Sequence, residues 1–250
     1  MLGYDVALNI PGACNSAATQ RTASTFIESR PAPAGQIELM STYRLKNLLS
    51  PRSVALVGGS PRQTSVGRAI LRNIKNAKFK GEFGIVNQHY AEIDGVATVD
   101  TLDKLPFAPE LVVITAPATA IPGLIDQAGK RGAAGALMVS SGLGHGAGSL
   151  AEAAENAARQ YGMRLIGPNC LGIMMPGASL NASFAAHMPC AGNLALISQS
   201  GAIASGMVEW AAQRSVGFTG IVSIGDQLDV DIADLLDYFA LDGKTRAILL

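Results

Sequence analysis

Apolar residues recur along this chain in two rhythms: short unbroken runs, and longer stretches with an apolar position every three or four residues. The runs read as buried parallel strands and the stretches as helices packed on them. A short amphipathic helix in Met40-Ser-Thr-Tyr-Arg-Leu-Lys-Asn-Leu-Leu-Ser50 leads into a first strand, Ser53-Val-Ala-Leu-Val57, and a helical pattern resumes near Ser65. Further strands are predicted at 83–87, 111–115, 135–140 and 164–167, with helices over 118–132 and 149–162 between them. Alternation of this kind predicts a parallel sheet with helices on its faces. In the helix from Ser149, Ala153, Ala154, Ala157 and Ala158 form a small-residue face that can sit close on a sheet.

From Leu171 to Gly192 the rhythm breaks into Gly, Met and Pro, and an irregular segment is expected. A second α/β series follows: a strand at 193–199, a helix at 201–214, a strand at 220–225, and a helix at 229–241 with Ile232, Leu235, Leu236 and Phe239 on one face. The chain then runs into a last apolar strand, Arg246-Ala-Ile-Leu-Leu250. A three-stranded parallel sheet ending on a bare strand leaves apolar surface and backbone groups open, so a truncated chain is expected. Residues 1–39, rich in Ala, Ser, Thr and Pro, follow neither rhythm and read as a disordered extension, with Met40 the natural start. Asp5, Glu28 and Glu38 argue against a transit peptide there. The expected organisation is an extension at 1–39, a first domain at 40–180 and an incomplete second domain at 193–250.

Of 250 residues, 48% are hydrophobic and 15% charged, enough to build one large core or two smaller ones. Nineteen basic residues balance nineteen acidic ones, so no long-range field gathers nucleic acid or an anionic membrane, and any anion site must be local. No apolar run approaches the roughly 18 residues needed to cross a bilayer, and the start lacks the basic segment and apolar core of a secretory signal. Cys14, Cys170 and Cys190, odd in number and far apart, read as reduced thiols of a cytoplasmic protein. They and the three histidines show no metal-ligand spacing.

The candidate chemistry gathers at strand ends. In Gly58-Gly-Ser-Pro-Arg-Gln-Thr-Ser-Val-Gly67 an apolar run stops at two glycines before a helix start, where free N–H groups and the positive dipole end favour a phosphate. The alternative is a plain strand-to-helix turn. The glycines are too widely spread for a dinucleotide fingerprint, and the second strand ends in Asn87-Gln-His-Tyr90 without a carboxylate for ribose, which disfavours a nicotinamide cofactor. No Gly-Lys-Ser/Thr follows, so a P-loop is excluded. A Rossmann-like site for another phosphorylated ligand remains, with Arg62, Arg68 and His89 as neighbouring cationic or donor groups. Ser198-Gln-Ser-Gly201 repeats the arrangement, with an N-cap as the competing reading. Asn169 and Cys170 follow another strand, and Cys170 reads as a small buried residue rather than a nucleophile. His145 and His187 have no carboxylate spaced to orient them.

Residues 45–250 resemble the start of the NDP-forming acyl-CoA synthetases, relatives of the succinyl-CoA synthetase alpha subunit. The resemblance lies in Leu48-Leu-Ser-Pro-Arg-Ser-Val-Ala-Leu-Val-Gly-Gly-Ser60, Ser65-Val-Gly-Arg-Ala69, Ile166-Gly-Pro-Asn-Cys-Leu-Gly172 and Ile197-Ser-Gln-Ser-Gly201. Softer motifs, Leu180-Asn-Ala-Ser-Phe184, Trp210-Ala-Ala-Gln-Arg214 and the stretch 229–240, resemble the branch fused to a GNAT protein lysine acetyltransferase. The resemblance implies a Rossmann-like CoA-binding domain followed by the start of a flavodoxin-like ligase domain. It implies coenzyme A contacts at Gly58, Gly59, Ser60, Thr64, Ser65, Val66, Gly67, His89, Pro117, Ser140, Ser141, Gly142 and Asn169. The helix start at Ser198, Ser200 and Gly201 would face a phosphohistidine that lies, like the ATP-grasp unit with its ATP/ADP and Mg, outside this chain.

The family makes an acyl phosphate, passes the phosphoryl group through that histidine to a nucleoside diphosphate, and gives the acyl group to the CoA thiol. No catalytic residue is therefore expected within these 250 residues, and the chain alone is expected to be inactive. Its partners would be the remaining ligase and ATP-grasp domains or a beta subunit, and a small acyl substrate. Two departures stand out: the family's Asn-Pro-Lys-Tyr is Asn87-Gln-His-Tyr90 here, and Ser205 replaces a tyrosine near the succinate enzyme's substrate, which points away from a dicarboxylate. The alternative function is a CoA-sensing regulatory module of a GNAT-type acetyltransferase.

Overall fold

The computed structural model describes residues 41–250; the expected extension and Met40 lie outside the described residues. A seven-stranded sheet is built from β1 (Ser53–Val57), β2 (Glu82–Val86), β3 (Glu92–Ile93), β4 (Val96–Val99), β5 (Leu111–Ile114), β6 (Gly135–Met138) and β7 (Arg164–Ile166), in the order β3-β4-β2-β1-β5-β6-β7. All pairs are parallel except β3 with β4. Side chains alternate across a strand, and β1 is buried throughout, so it feeds two cores. Val54 and Leu56 meet α1 (Leu45–Leu49) and Ile70, Leu71 and Ile74 of α2 (Val66–Asn76). Ala55 and Val57 share the opposite core with Ile121 and Ile125 of α3 (Ile121–Lys130) and with α4 (Leu150–Gln160).

The buried stripe of α4 is Ala151, Ala154 and Ala158; Ala153, expected on that face, is exposed, and Ala157 is half-buried. Ala154 and Ala158 thus pack as expected, and the stripe runs back to Ala151 rather than to Ala153, because i, i+3, i+7 fits the 3.6-residue period. The β3–β4 hairpin escapes the strand rhythm because it is short and buries only Ile93 fully. Its turn is nevertheless marked by Asp94-Gly95, both at positive φ (48° and 79°), the pair that a tight hairpin favours.

The second sheet runs β12-β10-β11-β8-β9. Its strands are β8 (Gly172–Met175), β9 (Leu180–Ser183), β10 (Cys190–Ser198), β11 (Gly217–Ser223) and β12 (Ala247–Leu249). The stretch from 171 to 192 is therefore not irregular: β8 pairs antiparallel with both β11 and β9. Residues 172–180, expected within the first domain, thus belong by their pairing to the second sheet. Both strands are buried on both faces, so they carry no apolar-polar alternation, and Gly and Met stand where β-branched residues would have marked a strand. One face of this sheet packs on Ala204, Val208 and Ala211 of α5 (Gly201–Ala212), the other on Leu235 and Phe239 of α6 (Ile232–Leu241).

The two units share a core in which Leu56, Ile70 and Ile166 are continuous with Ile173, Ile197 and Phe239. Polar ties cross the same boundary. Arg164 on β7 is paired with Asp229 at 2.9 Å and with Asp234 at 2.5 Å. The backbone after β11 runs beside β7, with Asp226 N–H donating to Pro168 (2.9 Å), Leu228 to Gly167 (3.0 Å) and Val230 to Leu165 (3.0 Å). Buried Asn73 on α2 donates to the carbonyls of Ser183 and Ala185, both at 2.8 Å.

Candidate functional site

The chain builds the first sheet outward from β1 in both directions, toward β2 on one side and β5 on the other. The gap between loops that this reversal leaves at the carboxyl ends of the strands is where open α/β sheets take ligands. A cleft of about 580 Å³ opens there. Its floor is made of glycine for steric reasons. Gly58 has φ +90°, and a Cβ on it would lie 2.8 Å from the Ala116 nitrogen. One on Gly67 would lie 2.8 Å from the Gly58 carbonyl oxygen, so α2 could not start so close to β1. The loop is pinned by Gly58 N–H donating to Val86 (3.1 Å) and by the Asn87 side-chain amide donating to the Gly59 carbonyl. The Asn87 Oδ1 accepts from the N–H groups of His89 (2.7 Å) and Tyr90 (3.1 Å), folding the end of β2 over the cleft.

Of the predicted residues, Gly58, Gly59, Ser60, His89 and Pro117 line this cleft, together with Arg62. Thr64, Ser65, Val66 and Gly67 form the entry to α2. Ser65 occupies the N-cap position but makes no side-chain cap bond, whereas Ser149, Ser200 and Asp231 all cap their helices. Arg68 is turned away, forked onto Asp94 with both bonds at 2.9 Å; this pairing holds the Asp94 carboxyl below the usual range. Ser140, Ser141 and Gly142 lie beside the cleft rather than in its wall: the Ser140 hydroxyl donates to Ala116 (2.6 Å), a wall residue.

Asn169 sits elsewhere. Its N–H donates to the Ser140 carbonyl (3.0 Å) and its amide to Asp226 (3.1 Å), and it lines a second cleft of about 510 Å³ at the start of α5. Ser200 and Gly201 line that second cleft too. Ser200 accepts from Ile203 N–H (3.3 Å), so the capping reading is correct for it. Ser198 is buried beneath, donating to the Ser200 carbonyl at 3.1 Å. Cys170 is buried with its Sγ 3.3 Å from the Met138 carbonyl, and burial pushes the thiol up to about 12, which agrees with a packing role. His145 stands in an exposed loop whose Gly142, Gly144, Gly146 and Gly148 all have positive φ. Among the described residues no group of His, Cys, Asp and Glu could hold a metal ion.

Sequence reasoning missed Tyr90, Asp100, Leu124 and Gln127, which also line the first cleft. Leu124 and Gln127 belong to the half-exposed side of α3, which an apolar period does not flag. Asp100 arrives because β4 lies beside β2, and the Asp94-Gly95 turn was the available signal. Its carboxylate is held below the usual range by Lys104 at 2.8 Å.

A doubly wound parallel sheet with a glycine-floored cleft at its switch point defines a Rossmann-like ligand-binding unit, here joined to a second α/β unit. Residues 52–176 match the CoA binding domain family, and the chain belongs to that family. Residues 191–250 match the succinyl-CoA ligase like flavodoxin domain. An acetate–CoA ligase (ADP-forming) of Methanocaldococcus jannaschii is 36% identical over 83% of this chain and 29% of its own length. The alpha subunit of acetate–CoA ligase (ADP-forming) I of Pyrococcus furiosus is 34% identical over 82% of this chain and 46% of its own. The solved dinucleotide forming acetyl-coenzyme A synthetase 1 of Ca. Korarchaeum cryptofilum, in complex with phosphate and ADP, superposes with a TM-score of 0.77 at 35% identity, covering 82% of this chain and 44% of that one. The chain thus spans less than half the length of these relatives and is homologous to a CoA-binding region of ADP-forming acetyl-CoA synthetases.

Proposed function

We propose that the first cleft holds coenzyme A and that the chain is the CoA-binding part of an ADP-forming acyl-CoA ligase. The observation that carries this reading is the glycine cradle from Gly58 to Gly67, which ends at a helix whose first amides no side chain caps. Such amides favour an anion. The residues fit the ligand's two ends. Gly58–Ser60, Thr64, Ser65, Val66 and Gly67 would take phosphate, with Arg62 and His89 at the rim as donors. Among the described residues no acid is paired with Arg62. Tyr90, Pro117 and Leu124 offer an apolar wall for a base. Ser140, Ser141, Gly142 and Asn169 would guide the arm of the ligand toward Ser200 and Gly201, with Ser198 supporting that turn. When bound, CoA supplies the thiol that accepts the acyl group.

The relatives support a small acyl substrate and a need for further ligase parts or a separate subunit. A cytoplasmic setting suits the free thiols of Cys170 and Cys190, and among the described residues no helix is long and apolar enough to cross a membrane. The acetyltransferase-linked sensor reading has no observation of its own in the fold or in these relatives.

Calorimetric titration of the chain with CoA, NAD and ADP tests the proposal. Selective CoA binding in the micromolar range is expected, weakened about tenfold or more by Ser65→Glu, which puts a carboxylate against the phosphate. Binding of NAD without CoA would overturn it.

A further inference from the structure

Asn169 is held at both its backbone and its side chain. Its N–H donates to the Ser140 carbonyl (3.0 Å) and its side-chain amide to the Asp226 carboxylate (3.1 Å). Asp226 comes from the second unit, in the turn after β11, and is itself docked on the first: its own N–H donates to the Pro168 carbonyl (2.9 Å). A Cβ on the preceding Gly225 would collide with the carbonyl oxygens of Pro168 and Asn169, so the turn closes on this loop only with glycine there. A carboxylate offers acceptors and no donor, and so fixes which end of the Asn169 amide faces it. The NH2 group is turned to Asp226, and Oδ1 is left as an acceptor with no donor among the described residues. Asn169 lines the second cleft, whereas Asp226 stands behind it.

Ala116, Ser140 and Asn169 follow β5, β6 and β7, which are neighbours in the sheet, so at the usual strand spacing Asn169 stands about 10 Å from the wall of the first cleft. The Ser140 hydroxyl, bonded to the Ala116 carbonyl (2.6 Å), completes that line. The start of α5, at Ser200 and Gly201, brings N–H donors to the same second cleft. An acceptor from one unit and donors from the other suit a secondary amide, which has one N–H and one C=O. We propose that Asp226 is a positioning residue: it orients Asn169 so that Oδ1 accepts from an amide N–H of the CoA arm. This rests on the reading of the first cleft as the CoA site. Without Asp226 the Asn169 amide is free to turn over and set its NH2 group against the arm's N–H, donor against donor. Through this one carboxylate the second unit governs how the first holds its ligand.

The test is calorimetric titration of the chain and its variants with CoA and with 3′-phosphoadenosine 5′-diphosphate, which is CoA without its arm. Asn169→Ala is expected to weaken CoA about tenfold, and Asp226→Ala, which frees the amide to turn over, about fivefold. The double variant should be no weaker than Asn169→Ala, since Asp226 acts through Asn169. Asp226→Asn keeps an acceptor oxygen and should recover CoA affinity to within about twofold of the unaltered chain. The arm-less ligand should bind all of these chains alike, a result that a merely structural loss would not give. Losses that multiply in the double variant, an equal loss for the arm-less ligand, or no loss of CoA affinity in Asp226→Ala overturns the inference and leaves the CoA site standing. Failure of the unaltered chain to bind CoA overturns both.

Discussion

Gly67 illustrates how a single hydrogen atom in place of a methyl group sets the distance between a strand and a helix. In Gly67→Ala the new Cβ meets the Gly58 carbonyl oxygen at 2.8 Å and the Thr115 hydroxyl at 2.9 Å. Overpacking against backbone outweighs the small helix-propensity gain, so a loss of about 1–2 kcal/mol in urea unfolding is expected, with CoA affinity falling about tenfold as the cradle widens. Cys170 gives a different test. With its thiol raised to about 12, it should resist iodoacetamide at pH 8 in the folded chain while exposed Cys190 is alkylated, as peptide mass mapping would show. The sign of its pH effect follows. A thiol pKa raised by folding means that the folded chain holds the proton longer, so this contribution is complete below the ordinary value near 9 and is lost as pH rises toward 12.

Helix starts separate structural caps from an open one. Ser149→Ala removes the bond to Glu152 N–H (3.1 Å) and should cost about 1 kcal/mol in thermal or urea unfolding. Ser65→Ala, where the hydroxyl caps nothing, should cost only a few tenths. Comparable losses in the two variants would mean that Ser65 caps α2 after all. This contrast also shows what a linear reading can reach. The run Val54–Val57, the double glycine and the following helix were legible because burial on both faces, a forced backbone approach and a 3.6-residue period each leave a local mark. The β8–β9 hairpin was not, since its burial comes from partners far away in the chain and its Gly and Met residues carry no strand signature. For the same reason Asn169, expected with the other CoA contacts in the first cleft, lines the second one instead, where its amide meets Asp226. Leu124 reaches the first cleft through packing that no motif encodes.

The two units should unfold together, because one core runs through both and Arg164 ties them. Arg164 is largely buried between Asp229 and Asp234. Arg164→Met keeps the bulk but leaves two carboxylates without their counter-charge, for an expected loss of about 2–4 kcal/mol. Differential scanning calorimetry should show the single transition of the wild-type chain broaden or split in this variant. A single sharp transition at the wild-type temperature would show that the shared core alone holds the units together.

The backbone from Asp226 to Val230 has a further consequence through its place beside β7. The opposite margin of the first sheet ends in a two-residue strand, too short to template another chain, whereas the outer edge of β7 is bonded by this borrowed stretch of backbone. By occupying the outward N–H and C=O of Leu165, through the Asp229 carboxylate (2.7 Å) and Val230 N–H (3.0 Å), it denies that margin to strangers. The second unit is in this sense a guard against aggregation. Expressed without it, the first unit would present a bare parallel strand and self-associate edge to edge.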